Sequence, residues 1–140
     1  MGEILAILPQ RTDDSREFWD GCNQRRLLLR RCDSCESVFY YPRSSCPVCG
    51  SQRLSWVESS GSGTVFAFTR VEVSFYGNQW ESQLPYIVLL VDLAEGPRML
   101  SRLVGETEGL CTGANVHVDF VVVENQWLPF FRLQPNSGVA

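Results

Sequence analysis

Cys32-Asp33-Ser34-Cys35-Glu36-Ser37-Val38-Phe39-Tyr40-Tyr41-Pro42-Arg43-Ser44-Ser45-Cys46-Pro47-Val48-Cys49-Gly50 decides how this chain is read. It carries two C-x-x-C pairs, Cys32/Cys35 and Cys46/Cys49, with ten residues between them. Thiolates are soft ligands, and four in a tetrahedron suit Zn²⁺. The x-x spacing lets one tight turn aim two sulfurs at one ion. Pro47 and Gly50 are turn residues that help shape the second turn. Two disulfides, or four unrelated core cysteines, fit less well in a chain with no evident secretion leader. A thioredoxin-type dithiol needs one pair in a βαβ context, and no such context is visible. Iron in a rubredoxin-like site remains the alternative, because the donor set is the same. The expected cofactor is one structural zinc ion on Cys32, Cys35, Cys46 and Cys49.

Working outward, residues 27–58 read as a ribbon of short hairpins around that ion. Leu27-Leu28-Leu29 enters the first turn, Val38-Phe39-Tyr40-Tyr41 returns until Pro42, and residues 54–58 leave. So small a unit buries little apolar area, so the metal should supply much of its folding energy. Upstream, residues 1–12 look like a loose arm. A helix is expected over residues 14–24, capped by Thr12, Asp13 or Asp14, with Glu17 placed as in a capping box. Phe18, Trp19 and Cys22 share one side of it, so it must bury them against its own domain or against another protein. Arg25, Arg26, Arg30 and Arg31 flank the first ribbon strand. They could meet phosphate, or pair with Asp13, Asp14 and Asp20.

Downstream, Ser59-Ser60-Gly61-Ser62-Gly63 reads as a flexible linker. The pattern then changes to period two. Strands are expected over 64–73, 86–93, 98–104, 115–124 and 127–133, with a loop from 75 to 84, a turn at Asn125-Gln126 and a single helical turn at 106–110. Five strands on short turns fit a small closed barrel of the OB type. The predicted architecture is thus mainly β: an N-terminal arm and helix (1–26), a rubredoxin-like zinc ribbon (27–58), then a five-stranded OB-fold barrel (59–140).

Composition restricts the function. The chain has 140 residues, 44% hydrophobic, enough for a real core. No apolar run nears the ~20 residues of a membrane helix, and the expected location is the cytoplasm. Cys22 and Cys111 lie outside the metal spacing and read as small core residues. The net charge is −4, and the part after Arg53 holds four arginines against nine acids, which is unlike a nucleic-acid footprint. The single histidine, His117, sits mid-strand. No G-x-S-x-G, phosphate loop, dinucleotide fingerprint or H-E-x-x-H occurs. Four saturated thiolates leave a metal no open position for chemistry. The sequence argues against a self-sufficient enzyme.

The order Phe18-Trp19, Cys32-x-x-Cys35, Pro42-Arg43, Cys46-Pro47-x-Cys49-Gly50, Gly61-x-Gly63-x-Val65, Pro85-Tyr86 and Gly113-x-x-Val116 resembles a known family. That family joins a rubredoxin-like zinc ribbon to an OB fold, is associated with acyl-CoA enzymes, and was long catalogued as a domain of unknown function. Glu36 stands where a glycine is usual after the first C-x-x-C, and Tyr41 where the first proline of a Pro-Pro-Arg is usual. The resemblance implies a non-catalytic partner of thiolase-like enzymes, such as aldolases that shorten steroid side chains, thiolases or acyltransferases. It implies a mixed oligomer, two subunits with two, that helps enclose acyl-CoA. Candidate contact residues are Phe18, Trp19, Tyr40, Tyr41 and Arg43. A different class of function, single-stranded nucleic-acid binding, would use Phe66, Phe68, Phe75, Tyr76 and Trp80 as stacking platforms.

Overall fold

The computed structural model describes residues 8–73 and 84–135. Its elements are α1 (Arg16–Asn23), β1 (Leu28–Cys32), β2 (Val38–Phe39), β3 (Leu54–Glu58), β4 (Ser62–Val71), β5 (Tyr86–Leu93), β6 (Arg98–Arg102), β7 (Asn115–Val123) and β8 (Gln126–Leu133). The chain is mainly β with one short helix, as its patterning predicts. The 75–84 loop, with Phe75, Tyr76 and Trp80, lies almost wholly outside the described residues.

The strands form two sheets. The ribbon sheet has the order β2-β1-β3, antiparallel throughout. The second sheet has the order β6-β5-β4-β7-β8 and curls until its two edges meet. Leu103, just past β6, bridges Phe131 of β8 in parallel. The Val104 N–H donates to the Phe131 carbonyl at 2.8 Å, and the Ser101 hydroxyl donates to the Pro129 carbonyl at 2.7 Å. This nearly closed five-stranded barrel has the OB strand order. Alternating side chains fill it: Val65, Leu89, Val91, Met99, Val116 and Phe131 are all buried. A bulge between Val65 and Ala67 lets β4 bend around the barrel. Among the described residues no helix is long and apolar enough to cross a membrane.

Three local expectations change. The helix is shorter than 14–24, and its cap is a reciprocal pair that the Asp14/Glu17 pattern does not capture. The Thr12 N–H donates to the Ser15 hydroxyl at 2.9 Å, and the Ser15 N–H donates to the Thr12 hydroxyl at 3.2 Å. At 106–110 there is a β-turn closed by Leu110 N–H to Thr107 C=O at 3.1 Å, without a helical turn. The β7–β8 connection turns on Glu124 and Asn125, one residue earlier than expected, with Glu124 at φ 57.

The presumed linker is not a loose tether. The Ser59 hydroxyl donates to the Glu95 carboxylate at 2.7 Å, and the Ser60 N–H donates to the same carboxylate at 2.8 Å. The Gly61 carbonyl accepts from the Val118 N–H at 2.8 Å. Gly61 has φ 85, and a Cβ there would meet Val118 at 2.6 Å, so glycine serves close packing at this point. Ser62 and Gly63 already belong to β4. A Ser/Gly composition signals flexibility only where no outside group binds the backbone.

Ribbon and barrel share one core. Leu27 and Leu29 of the ribbon, Phe18, Trp19 and Cys22 of the helix, and the barrel residues form a single cluster. The helix docks on β8, where Asn23 accepts from the Trp127 N–H at 3.0 Å and Gln126 donates to the Trp19 carbonyl at 3.3 Å.

Candidate metal centre

Each C-x-x-C pair sits on a turn of the same design. The Cys32 N–H donates to the Ser37 carbonyl and the Glu36 N–H donates back to the Cys32 carbonyl, both at 2.8 Å. In the second turn, Cys46 and Ser51 bond at 2.8 Å, and Gly50 and Cys46 at 2.9 Å. The residue after each second cysteine must adopt left-handed φ, 67 at Glu36 and 79 at Gly50. Glycine does this freely, whereas glutamate carries a cost of about 1–2 kcal/mol, eased by local bonding. Glu36→Gly is therefore expected to raise stability by up to about 1 kcal/mol, and Gly50→Ala to lower it by a similar amount. Thermal unfolding of the metal-loaded variants checks both signs. Loss of the exposed Arg31–Glu36 pair, at 3.5 Å, offsets little of the gain.

The four sulfurs converge. Cys32 and Cys49 lie 3.5 Å apart, Cys35 and Cys46 lie 3.6 Å apart, and all four fall within 4.8 Å of one another. These are not disulfides, whose sulfurs sit about 2.05 Å apart. A tetrahedral ion with bonds of about 2.3 Å needs sulfurs about 3.8 Å apart, and this set fits. Cys32 and Cys46 are buried, while Cys35 and Cys49 are exposed. Amide N–H groups of Cys35 and Val48 point at the sulfurs of Cys32 and Cys46, at 3.4 and 3.3 Å. The Cys35 amide holds the Cys32 thiol down to about 6. The Ser37 hydroxyl and amide lower Cys35. At Cys49 the Ser51 amide also pulls down, but the sulfur of Cys32, burial and the sulfurs of Cys35 and Cys46 outweigh it and push the thiol up to about 11. Crowded thiolates resist full ionisation until a cation compensates them, so metal loading competes with protons. A bond between the Ser34 and Ser51 hydroxyls, 2.9 Å, ties the two turns together. Nothing in the sequence pattern signals that bond.

The contact candidates Phe18, Trp19, Tyr40 and Tyr41 come together as one aromatic cluster. Phe18 meets Trp19 at 4.8 Å, Tyr40 at 5.8 Å and Tyr41 at 6.2 Å between ring centres. Phe18 and Trp19 are core residues, 0% and 7% exposed, so their side chains offer no free surface. Tyr40 is half-buried, and burial raises its pKa. Only Tyr41, 45% exposed, and Arg43 face solvent.

The arginines beside β1 also find partners other than Asp13, Asp14 and Asp20. Arg26 pairs with Glu58 at 3.1 Å and Arg31 with Asp33 at 3.2 Å. Arg30 stacks on Trp56 at 4.3 Å, and Arg25 covers Trp127 at 4.8 Å. Asp13 and Asp20 pair instead with Arg16 and Arg11. Of the described stacking candidates, Phe66 lies under the Arg98 guanidinium at 3.4 Å, and Phe68 is 43% exposed.

Cys22 is buried, which pushes its thiol up to about 12 and leaves it inert. Cys111 is exposed in the turn before β7, against the expectation of a core residue. The His117 ring lies between the Val118 carbonyl at 3.0 Å and the Ser60 carbonyl at 3.1 Å, where it braces the ribbon–barrel joint.

A four-thiolate ribbon fused to an OB barrel defines the class: a ribbon/OB protein with a closed, structural type of metal site. Residues 19–55 match the ChsH2 rubredoxin-like zinc ribbon domain, and residues 56–121 match the ChsH2 C-terminal OB-fold domain. The chain belongs to this ChsH2 (DUF35) family of zinc-ribbon/OB-fold proteins. It is 30% identical to a chain of a solved "Ltp2-ChsH2(DUF35) aldolase", with a TM-score of 0.77, covering 90% of this chain and 98% of that one. It is 32% identical over 132 residues to a probable enoyl-CoA hydratase alpha subunit of Thermomonospora curvata, 93% of this chain and 40% of the relative's length. It is 34% identical over 103 residues to a DUF35 domain-containing scaffold protein of Pyrococcus furiosus, 72% and 74% of the two chains.

Proposed function

We propose that this chain is a non-catalytic accessory subunit of a CoA-dependent, thiolase-like enzyme with aldolase, thiolase or acyltransferase activity. It carries zinc on Cys32, Cys35, Cys46 and Cys49, and assembles two subunits with two of its partner. The CoA thioesters of steroid or related lipid side chains are the substrate class that goes with this role. The observation that carries the reading is the near full-length likeness to a chain of a solved aldolase. The chemistry of the chain's own residues agrees with it. Four thiolates saturate a tetrahedral ion and leave it no site for substrate. The one histidine faces two carbonyls, and among the described residues its hydrogen bonds go to neither a thiol nor a carboxylate. Tyr41 and Arg43, on the loop between the metal turns, are the candidates for contact with partner or acyl-CoA.

Co-expression with a thiolase-like protein encoded beside it tests the proposal. The expected result is a mixed oligomer on size-exclusion chromatography with light scattering, reduced by Tyr41→Ala or Arg43→Ala. A folded, metal-loaded monomer that binds no such protein would overturn it.

A further inference from the structure

The four converging sulfurs divide by exposure as well as by turn. Each C-x-x-C pair holds one buried cysteine, Cys32 or Cys46, and one exposed cysteine, Cys35 or Cys49. Two close sulfur contacts run across the turns, and each joins an exposed sulfur to a buried one: Cys49 to Cys32 at 3.5 Å, and Cys35 to Cys46 at 3.6 Å. These pairs are 17 and 11 residues apart in the chain, the second nested inside the first. Polar side chains hold the two turns face to face. The Ser34 hydroxyl meets that of Ser51 at 2.9 Å and accepts from the Arg53 guanidinium at 3.1 Å. The Asp33 N–H donates to the Arg53 carbonyl at 2.8 Å, and the Asp33 carboxylate accepts from the Ser55 hydroxyl at 2.9 Å. Of the two cysteines outside the cluster, Cys22 is buried and Cys111 is exposed.

We propose that the metal centre is also an oxidation site. A hydroperoxide reacts at exposed Cys35 or Cys49, the buried sulfur facing it closes a disulfide, and the chain ends with Cys32–Cys49 and Cys35–Cys46 bonds in place of the ion. Thiolates held by a cation stay deprotonated at neutral pH, and the thiolate is the form that attacks. The exposed thiolate attacks one peroxide oxygen and the O–O bond breaks. Sulfur keeps that oxygen as a sulfenic acid, and the other oxygen leaves as hydroxide and takes a proton. The buried thiolate across the turn then attacks the sulfenic sulfur. The S–S bond forms, and the second oxygen leaves as hydroxide and becomes water. Two sulfurs have given up two electrons, and hydrogen peroxide is reduced to two waters. The two sulfurs left are too few for a four-thiolate site, so the ion leaves and the second pair reacts in the same way. Each pair must close by about 1.5 Å to reach the disulfide length of about 2.05 Å, a small movement when two turns share it. The nested bonds tie turn to turn as the ion did, so the oxidised ribbon keeps its outline and can be reduced and reloaded.

The test treats the zinc-loaded full chain with hydrogen peroxide, follows ion release with a colorimetric chelator, and maps the cysteines by mass spectrometry after free thiols are blocked without reduction. The expected result is one ion released for about two peroxides consumed, one per disulfide. Peptides joined through Cys32–Cys49 and Cys35–Cys46 should appear, and zinc should bind again after dithiothreitol. Exposed Cys111 is the internal gauge: the cluster should react before it, and Cys111→Ser should leave ion release unchanged. Zinc retained until Cys111 is fully oxidised overturns the proposal. So do disulfides within the turns, Cys32–Cys35 and Cys46–Cys49, or sulfinic and sulfonic acids in place of disulfides. Ligand variants lose the ion on their own account, so the decision rests on the wild-type disulfide map. The inference rests on the reading of zinc at these four sulfurs, and metal analysis before peroxide is added separates the two failures. A chain that binds no zinc sinks both, whereas a zinc-loaded chain that keeps its ion sinks the oxidation site and leaves the metal site and the accessory role standing.

Discussion

Stripping the metal, or replacing one ligand by Cys46→Ser, unravels the turns between residues 32 and 53 and leaves most of the barrel folded. The asymmetry follows from where the apolar area lies. Leu27 and Leu29 at the base of the ribbon belong to the common core, whereas beyond them Phe39, 9% exposed, is the main large side chain that the metal turns bury. Four thiolates around zinc supply on the order of 10 kcal/mol to ribbons of this size, far more than the hydrogen bonds of two turns. Cys46 is the buried member of its pair, and its loss leaves three of the four converging sulfurs. Hydrogen exchange should show lost protection at the amides of Cys32, Glu36, Cys46 and Gly50, with protection in β4, β5, β7 and β8 kept. Metal content should fall below one ion per chain. Unchanged metal content with unchanged exchange would contradict the assignment of these four ligands. Loading should also fail as pH drops, because protons compete for the sulfurs.

Phe18→Ala is expected to destabilise the whole protein by about 3–5 kcal/mol, a typical cost for deleting a fully buried ring. Phe18 is completely enclosed, meets Trp19 and Tyr40 edge-on and Tyr41 at a tilt, and its cluster continues into the barrel. Tyr41→Ala should cost under about 1.5 kcal/mol, since nearly half of that ring already faces water. Partner capture should respond in the opposite order per unit of stability lost. Denaturant unfolding of the two variants, with co-purification measured at a temperature where both are folded, separates a core role from a contact role. A Phe18→Ala chain of wild-type stability that no longer binds its partner would return this residue to the interface.

The convergence of the four cysteines and the barrel strands were legible because each rests on a short-range pattern. C-x-x-C spacing is local, and so is the alternation that places Leu89, Val91 and Leu93 of β5 inside. What escaped depends on residues far apart in the chain. Ser59 and Ser60 are held in place because Glu95 reaches them from the β5–β6 turn and His117 meets the Ser60 carbonyl from β7. The barrel closes through Leu103 and Phe131, a parallel contact that no turn signal announces. Phe18 and Trp19 looked available for a partner because the sequence shows which face of a helix is apolar and not what covers it. Thr12 was among the expected caps, but its partner Ser15 was not singled out, since several adjacent residues there can all cap. The left-handed strain at Glu36 became readable once the two metal turns were compared with each other.

The most direct test of the accessory role is turnover of an acyl-CoA substrate by three preparations: this chain alone, the thiolase-like partner alone, and the two together. Chemistry supplied by the partner and completed by this chain gives no turnover in the first, little in the second and full turnover in the third. Turnover by the purified chain alone, at a rate typical of enzymes, would contradict the account.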